Sequence, residues 1–103
     1  MEAASTALAR LLDLPVRHRG ITLGRVTDVL LDAEGAPIGL AVLTVADEPA
    51  FLPWPSAEPG QEDVQVPYPL AVLSKVELDF YRLSSRSLVE QLQAGEEPVV
   101  AGG

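Results

Sequence analysis

The sequence predicts one mostly β domain of about six short strands with a short helix at each end. Its length of 103 residues fits a single domain with a single core. A hydrophobic fraction of 48% against 21% charged residues provides enough apolar surface to offset the entropy lost on folding. Between the two ends, apolar residues follow the two-residue period of strands, and Pro and Gly interrupt them repeatedly.

The chain begins with a predicted helical segment at residues 1–14. Leu8, Leu11 and Leu12 recur at spacings of three and four, which places them on one helical face. A serine and a threonine precede them and can act as N-cap. Pro15 cannot continue a helix, so the segment ends there.

The strongest strand signals are two aliphatic, β-branched segments at residues 25–31 and 37–45. A short turn containing Gly35 joins them, so the pair predicts a hairpin. The second segment is apolar at nearly every position, which predicts that both of its faces are covered by barrel wall, helix or partner. One of these faces is a candidate interface, with Leu40 and Val42 as its contact residues.

Shorter strands complete a predicted β domain over residues 15–83. Residues 16–24 hold two short strands or a bent hairpin around turn glycines. Residues 51–54 form a strand in which Pro53 cannot donate to a ladder, so this strand belongs at an edge or at a strand start. A further short strand follows at residues 63–66.

Two patterns describe the rest of the chain. Apolar residues alternate with polar ones over residues 76–80, which predicts a strand. Ser87 and Glu90 form an S-x-x-E capping box, which predicts a helix within residues 84–95. Residues 96–103 are expected to be a frayed tail.

The charge and the composition restrict the partners. Fifteen acidic residues against seven Lys and Arg give a net charge of −8, which repels phosphate backbones and disfavours direct binding of nucleic acid. No apolar run approaches the ~20 residues of a membrane span, and the first residues match no signal peptide. The chain contains no cysteine, which fits a cytoplasmic location.

No pattern in the sequence predicts a catalytic, metal or cofactor site. His18 is the single histidine, and the positive charges of its neighbours Arg17 and Arg19 disfavour a bound cation. Carboxylate pairs such as Asp47 and Glu48 lie in predicted loops, where solvation is the usual state. No glycine-rich phosphate loop is present.

Several ordered segments resemble PRC-barrel domains. The family shows a leucine and valine strand, a glycine turn, an L-G-(K/R)-V core with an acidic residue before an aliphatic pair, an apolar strand and an aliphatic-Pro-Trp element. The matching parts of this chain, in order, are residues 14–16, Gly20, residues 23–32, residues 39–45, residues 51–54 and residues 63–66.

This resemblance implies a small β-barrel that docks proteins and has no catalytic group. Such domains form the cytoplasmic part of the photosynthetic reaction centre H subunit and the C-terminal domain of a ribosome maturation factor. We therefore expect a non-enzymatic adaptor whose partner is another protein, with a homodimer as one form of that interaction. The candidate contact residues are Phe51, Trp54, Tyr81, Leu40 and Val42.

Two alternatives stay open at this point. A ribosome-associated or RNA-processing role follows from the resemblance and from the arginines in the first quarter of the chain, although the net charge of −8 opposes direct RNA contact. A ligand or proton-handling role in an electron-transfer complex follows from the resemblance alone. Small barrels are usually filled by their own side chains, so this role ranks last.

Overall fold

The computed structural model describes residues 7–67 and 75–93. The strands are β1 (Pro15–His18), β2 (Ile21–Leu31), β3 (Pro37–Thr44), β4 (Pro49–Pro53), β5 (Glu58–Pro59), β6 (Val64–Gln65) and β7 (Arg86–Ser87). The helices are α1 (7–9), α2 (Lys75–Arg82) and α3 (88–93), and a 3₁₀ turn covers Trp54–Ser56. The predicted mostly β class is confirmed, since 42% of the described residues lie in strands and 25% in helices.

All seven strands belong to one mixed sheet. Its order is β4-β3-β2-β1-β6-β5, β7 pairs with β2 outside this path, and β1 runs parallel to β6. Within the described residues no ladder joins β4 to β5, so the sheet is open and the predicted barrel is not confirmed. Pro53 at the end of β4 and Pro59 in β5 lack the N–H groups that such a ladder would use.

The predicted hairpin is confirmed as β2 and β3. Asp32 holds its turn, because one carboxylate oxygen accepts the backbone N–H groups of Glu34 and Ala36, each at 2.9 Å. Gly35 takes a φ of 91°, which favours glycine. The hairpin is longer than the pattern indicated, since β2 already begins at Ile21.

A bulge in β2 allows both faces of the sheet to carry apolar residues. The register with β3 shifts between Val26 and Asp28, which inserts Thr27 as an extra residue. Side chains therefore change faces at this point. Val26 before the bulge and Val29 after it both enter the same core cluster.

Two buried clusters lie on opposite faces of the sheet. The large cluster takes side chains from β1, β2, β3, β4 and β6, and from segments next to the sheet. The small cluster lies under α2 and contains Leu30, Ala41, Phe51 and Leu78. Both faces of β3 are thus covered, as the sequence predicted. The large cluster consists of Leu11, Val16, Val26, Val29, Leu31, Leu40, Val42, Leu52, Val64, Val66 and Leu88.

The predicted strand at residues 76–80 is wrong, because this segment forms helix α2. Its apolar residues at every second position also satisfy a helical arrangement. Leu78 is buried under the helix, while Val76 and Phe80 are exposed on its other side. A strand would have placed these three side chains on a single face.

One half of the predicted capping box is present at the start of α3. The backbone N–H of Glu90 donates to the Ser87 hydroxyl at 3.1 Å, and helical residues 88–93 follow. Strand β7, which precedes this helix, was not predicted. The expected tail at residues 96–103 lies outside the described residues. None of the described helices is long and apolar enough to cross a membrane.

Candidate interaction surface

The five predicted contact residues fall into two groups. Leu40, Val42 and Phe51 are buried, at 0%, 1% and 2% exposure, so their side chains belong to the core and not to a free surface. Trp54 and Tyr81 are partly exposed and pack against the large and the small cluster, respectively. A contact of these two residues with another protein stays a prediction.

Phe51 and Tyr81 attach α2 to the sheet. The Phe51 ring lies over Gly39, where a Cβ atom would collide with the ring. Tyr81 stacks on the Phe51 ring, with centroids 4.5 Å apart and an angle of 14° between the ring planes. Gly39 thus makes room for the aromatic pair that positions α2.

The outer face of α2 carries three exposed apolar side chains, which we call the α2 stripe: Val76, Phe80 and Leu83. Their exposed fractions are 73%, 64% and 88%. Leu83 continues the helical turn, since its backbone N–H donates to the Phe80 carbonyl at 3.3 Å. Spacings of four and three residues keep the stripe within roughly 60° of the helix circumference, opposite the buried Leu78. The sequence contains this spacing, but the alternation at residues 76–80 concealed it.

The charges on α2 balance each other. Lys75 and Asp79 form an ion pair of 2.8 Å, one helical turn apart. Glu77 and Arg82 supply one further charge of each sign, so residues 75–82 carry no net charge in a chain of −8. The stripe therefore lies on a helix without net charge, although the protein as a whole is acidic.

A buried carboxylate, Asp28, anchors the C-terminal part of the described chain. One of its oxygens accepts the backbone N–H groups of Val29 at 2.7 Å and Val89 at 3.0 Å, and the other accepts the Ser87 hydroxyl. Asp28 therefore supports the first turn of α3 from within the sheet. The sequence signal for this role is the single acidic residue in the aliphatic strand β2.

Next to Asp28 lies a polar cavity of about 190 Å³. The Ser85 hydroxyl oxygen is buried there without a hydrogen-bond partner among the described residues. Side chains of both charge signs line the cavity, so its charge favours neither an anionic nor a cationic ligand. The lining residues are Asp28, Leu30, Arg82, Ser85, Ser87 and Glu90.

The remaining candidates for chemistry have structural partners. His18 contacts the Val66 carbonyl through Nδ1 at 3.0 Å; because a carbonyl only accepts, Nδ1 carries the proton. This bond ties β1 to the segment after β6. Within residues 7–67 and 75–93, no group of three or more His, Cys, Asp and Glu side chains could hold a metal ion.

Ion pairs reduce the basic character of the first quarter of the chain. Arg17 lies 3.6 Å from Asp63, and Arg25 lies 3.1 Å from Asp13. Each carboxylate offsets the positive charge that an RNA phosphate would otherwise meet. A phosphate would therefore have to compete with these carboxylates for both arginines.

Comparison with known proteins adds no assignment. No model of a known protein family matches this chain, and no curated protein matches it significantly. The resemblance to PRC-barrel domains therefore stays a prediction.

Proposed function

We propose that this protein is a non-enzymatic protein-binding module, an adaptor, that contacts its partner through the α2 stripe. The observation that carries the proposal is the exposure of Val76, Phe80 and Leu83 on one face of a helix whose opposite face is already buried. A surface helix of a single domain needs one apolar face for its core. A second apolar face is typical of helices that also bind another protein.

The spacing of the stripe supports binding through a helix. Anchors at positions i, i+4 and i+7 are the pattern by which amphipathic helices enter an apolar groove. Phe80 is the central and largest anchor. Its ring lies edge-on to Tyr81, with centroids 5.2 Å apart, and Tyr81 in turn stacks on Phe51. This chain of aromatic contacts restrains Phe80 before binding, which lowers the entropy lost in a complex.

We propose further that this adaptor is similar to PRC-barrel domains. The residues that carry the resemblance occupy consecutive strands: L-G-R-V lies on β2, the apolar segment forms β3, and Phe51 to Trp54 covers β4 and its following turn. An adaptor of this kind fits a cytoplasmic location, since the chain contains no cysteine. The RNA-associated alternative gains no comparable support, because Arg17 and Arg25 already pair with carboxylates.

Matched surface variants test the proposal. Wild type, a stripe variant (Phe80→Ser with Leu83→Ser) and a control variant (Ile21→Ser with Val45→Ser) are each used to capture proteins from an extract of the source cells. Ile21 and Val45 are also exposed apolar residues, but they lie outside α2. We expect that a protein captured by both wild type and the control variant is not captured by the stripe variant. Thermal unfolding should show that all three proteins are similarly folded. Identical captured proteins for all three would show that the stripe is not the binding surface.

A further inference from the structure

We propose that the cavity beside Asp28 binds a small zwitterion of the α-amino acid type. Arg82 binds the carboxylate of this ligand, and Glu90 and Ser85 bind its ammonium group. The site lies between the end of α2 and the start of α3, and it is separate from the protein-binding role of the α2 stripe. The size of the cavity, a buried hydroxyl without a partner and two unpaired charges of opposite sign point to this ligand.

The cavity has a buried floor and an open side. Asp28 and Leu30 are buried, at 8% and 1% exposure, whereas Arg82 and Glu90 are exposed. A ligand therefore enters from solvent between the two charged side chains. The volume of about 190 Å³ corresponds to about six water molecules of ~30 Å³ each. This is less than the ~300–1,000 Å³ of pockets for drug-sized ligands, so the ligand has only a few non-hydrogen atoms.

The Ser85 hydroxyl is a buried polar group that the fold leaves without a partner. Its oxygen receives or donates no hydrogen bond among the described residues, although Ser85 lines the cavity. A buried hydroxyl in this state costs free energy unless a ligand or a water molecule binds it. Ser87 differs, because its hydroxyl donates to Asp28 and accepts the backbone N–H of Glu90. Ser85 is therefore the hydroxyl available to a ligand.

Two opposite charges line the same cavity without pairing. Arg82 and Glu90 form no ion pair with each other or with any other described residue. A ligand with a single charge would meet one of them as a like charge, and an anion would also meet the Asp28 carboxylate. A zwitterion satisfies both, because its carboxylate accepts guanidinium N–H groups and its ammonium group donates to a carboxylate and a hydroxyl. Since it carries no net charge, the charge of −8 on the protein does not repel it.

A titration with L-alanine, followed by the NMR shifts of backbone amides, tests the site. Sodium propionate and ethylammonium chloride are the control ligands at matched ionic strength, because the first lacks the ammonium group and the second lacks the carboxylate. L-alanine should bind saturably with a Kd on the order of 1 mM and shift the amides of Ser85, Ser87 and Glu90. Each control ligand should bind at least about tenfold more weakly, since it leaves one charged side chain without a partner.

Matched variants identify the side chains that bind L-alanine. Arg82→Ala and Glu90→Gln should each weaken binding by about tenfold. Arg86→Ala and Glu77→Gln are the controls and should leave it unchanged, because neither side chain lines the cavity. Ser85→Ala should weaken binding by roughly threefold or more. Its Tm should be no lower than that of wild type, since the Ser85 hydroxyl has no partner in the fold.

Three results would contradict this proposal. The absence of saturable shifts at L-alanine concentrations of roughly 50-fold the expected Kd excludes the site. Propionate or ethylammonium that binds as tightly as L-alanine shows that the cavity selects a single charge and not a zwitterion. Equal weakening by Arg82→Ala and Arg86→Ala shows that L-alanine responds to the general charge of this segment and not to the cavity.

Discussion

The two faces of the hairpin β2–β3 are stabilised very differently. The large cluster on one face contains 11 buried residues from most of the chain, whereas the small cluster under α2 contains four. Strand β3 contributes to both, with Leu40 and Val42 in the large cluster and Ala41 in the small one. The large cluster therefore holds the whole fold together, and the small cluster holds one helix in place.

This difference explains where an interaction surface can lie. Helix α2 buries Leu78 completely, yet it exposes three large apolar side chains on its outer face. Substitutions in the large cluster should lower the stability of the entire domain. Substitutions in the small cluster should act mainly on α2, because local opening needs only the local contacts to break.

Leu40→Ala should lower the free energy of unfolding by about 2–5 kcal/mol. Leu40 is fully buried in the centre of β3, so its truncation leaves a cavity in the large cluster. Urea unfolding followed by circular dichroism measures the change. Leu43→Ala is the matched control, because Leu43 lies on the same strand and is only half-buried. Equal losses for the two variants would contradict the central role of the large cluster.

Gly39→Ala should cost about 1–3 kcal/mol, because the added Cβ atom meets the Phe51 ring. The same urea titration measures this loss. Combining it with Phe51→Leu should recover part of the loss, since the shorter side chain leaves room for the new methyl group. A double-mutant cycle gives the coupling between the two positions. Strictly additive losses would show that the Phe51 ring does not depend on Gly39.

Asp28→Ala should cost about 1 kcal/mol, a typical value for the loss of a helix cap. The side chain receives three hydrogen bonds, two of which come from residues at the start of α3. Amide exchange should therefore become faster at Val89 and at Val29, because both N–H groups lose the Asp28 carboxylate as acceptor, while the other amides of β2 stay protected. Faster exchange throughout the sheet would instead assign Asp28 to the stability of the whole domain.

The sequence patterns predicted the structural features that form between residues close together in the chain. The turn around Asp32 and the cap at Ser87 each form through bonds between residues at most four positions apart. Strand pairings such as β1 with β6 and β2 with β7 join distant residues, and no local pattern specifies them. This is why the open sheet was not predicted.

Three of the predicted contact residues are buried for a related reason. An apolar run such as β3 indicates that the strand is buried, but it does not reveal whether this chain or a partner packs against it. Leu40, Val42 and Phe51 are therefore among the predicted contact residues, although each is buried within this chain. The α2 stripe became recognisable only when residues 76–80 were seen to form a helix.

Phe80→Ser should lower the free energy of unfolding by about 0.5 kcal/mol, the smallest effect in this series, because the edge contact with Tyr81 is lost. Phe80 is 64% exposed and does not belong to the small cluster. Tyr81→Ser is the neighbouring comparison, and it should cost clearly more because Tyr81 stacks on Phe51. Thermal unfolding of both variants at low protein concentration separates the two roles, since contacts with another molecule do not contribute there. If Phe80→Ser lowers the thermal stability as much as Tyr81→Ser does, Phe80 stabilises the domain itself. That result would contradict a role of Phe80 in binding.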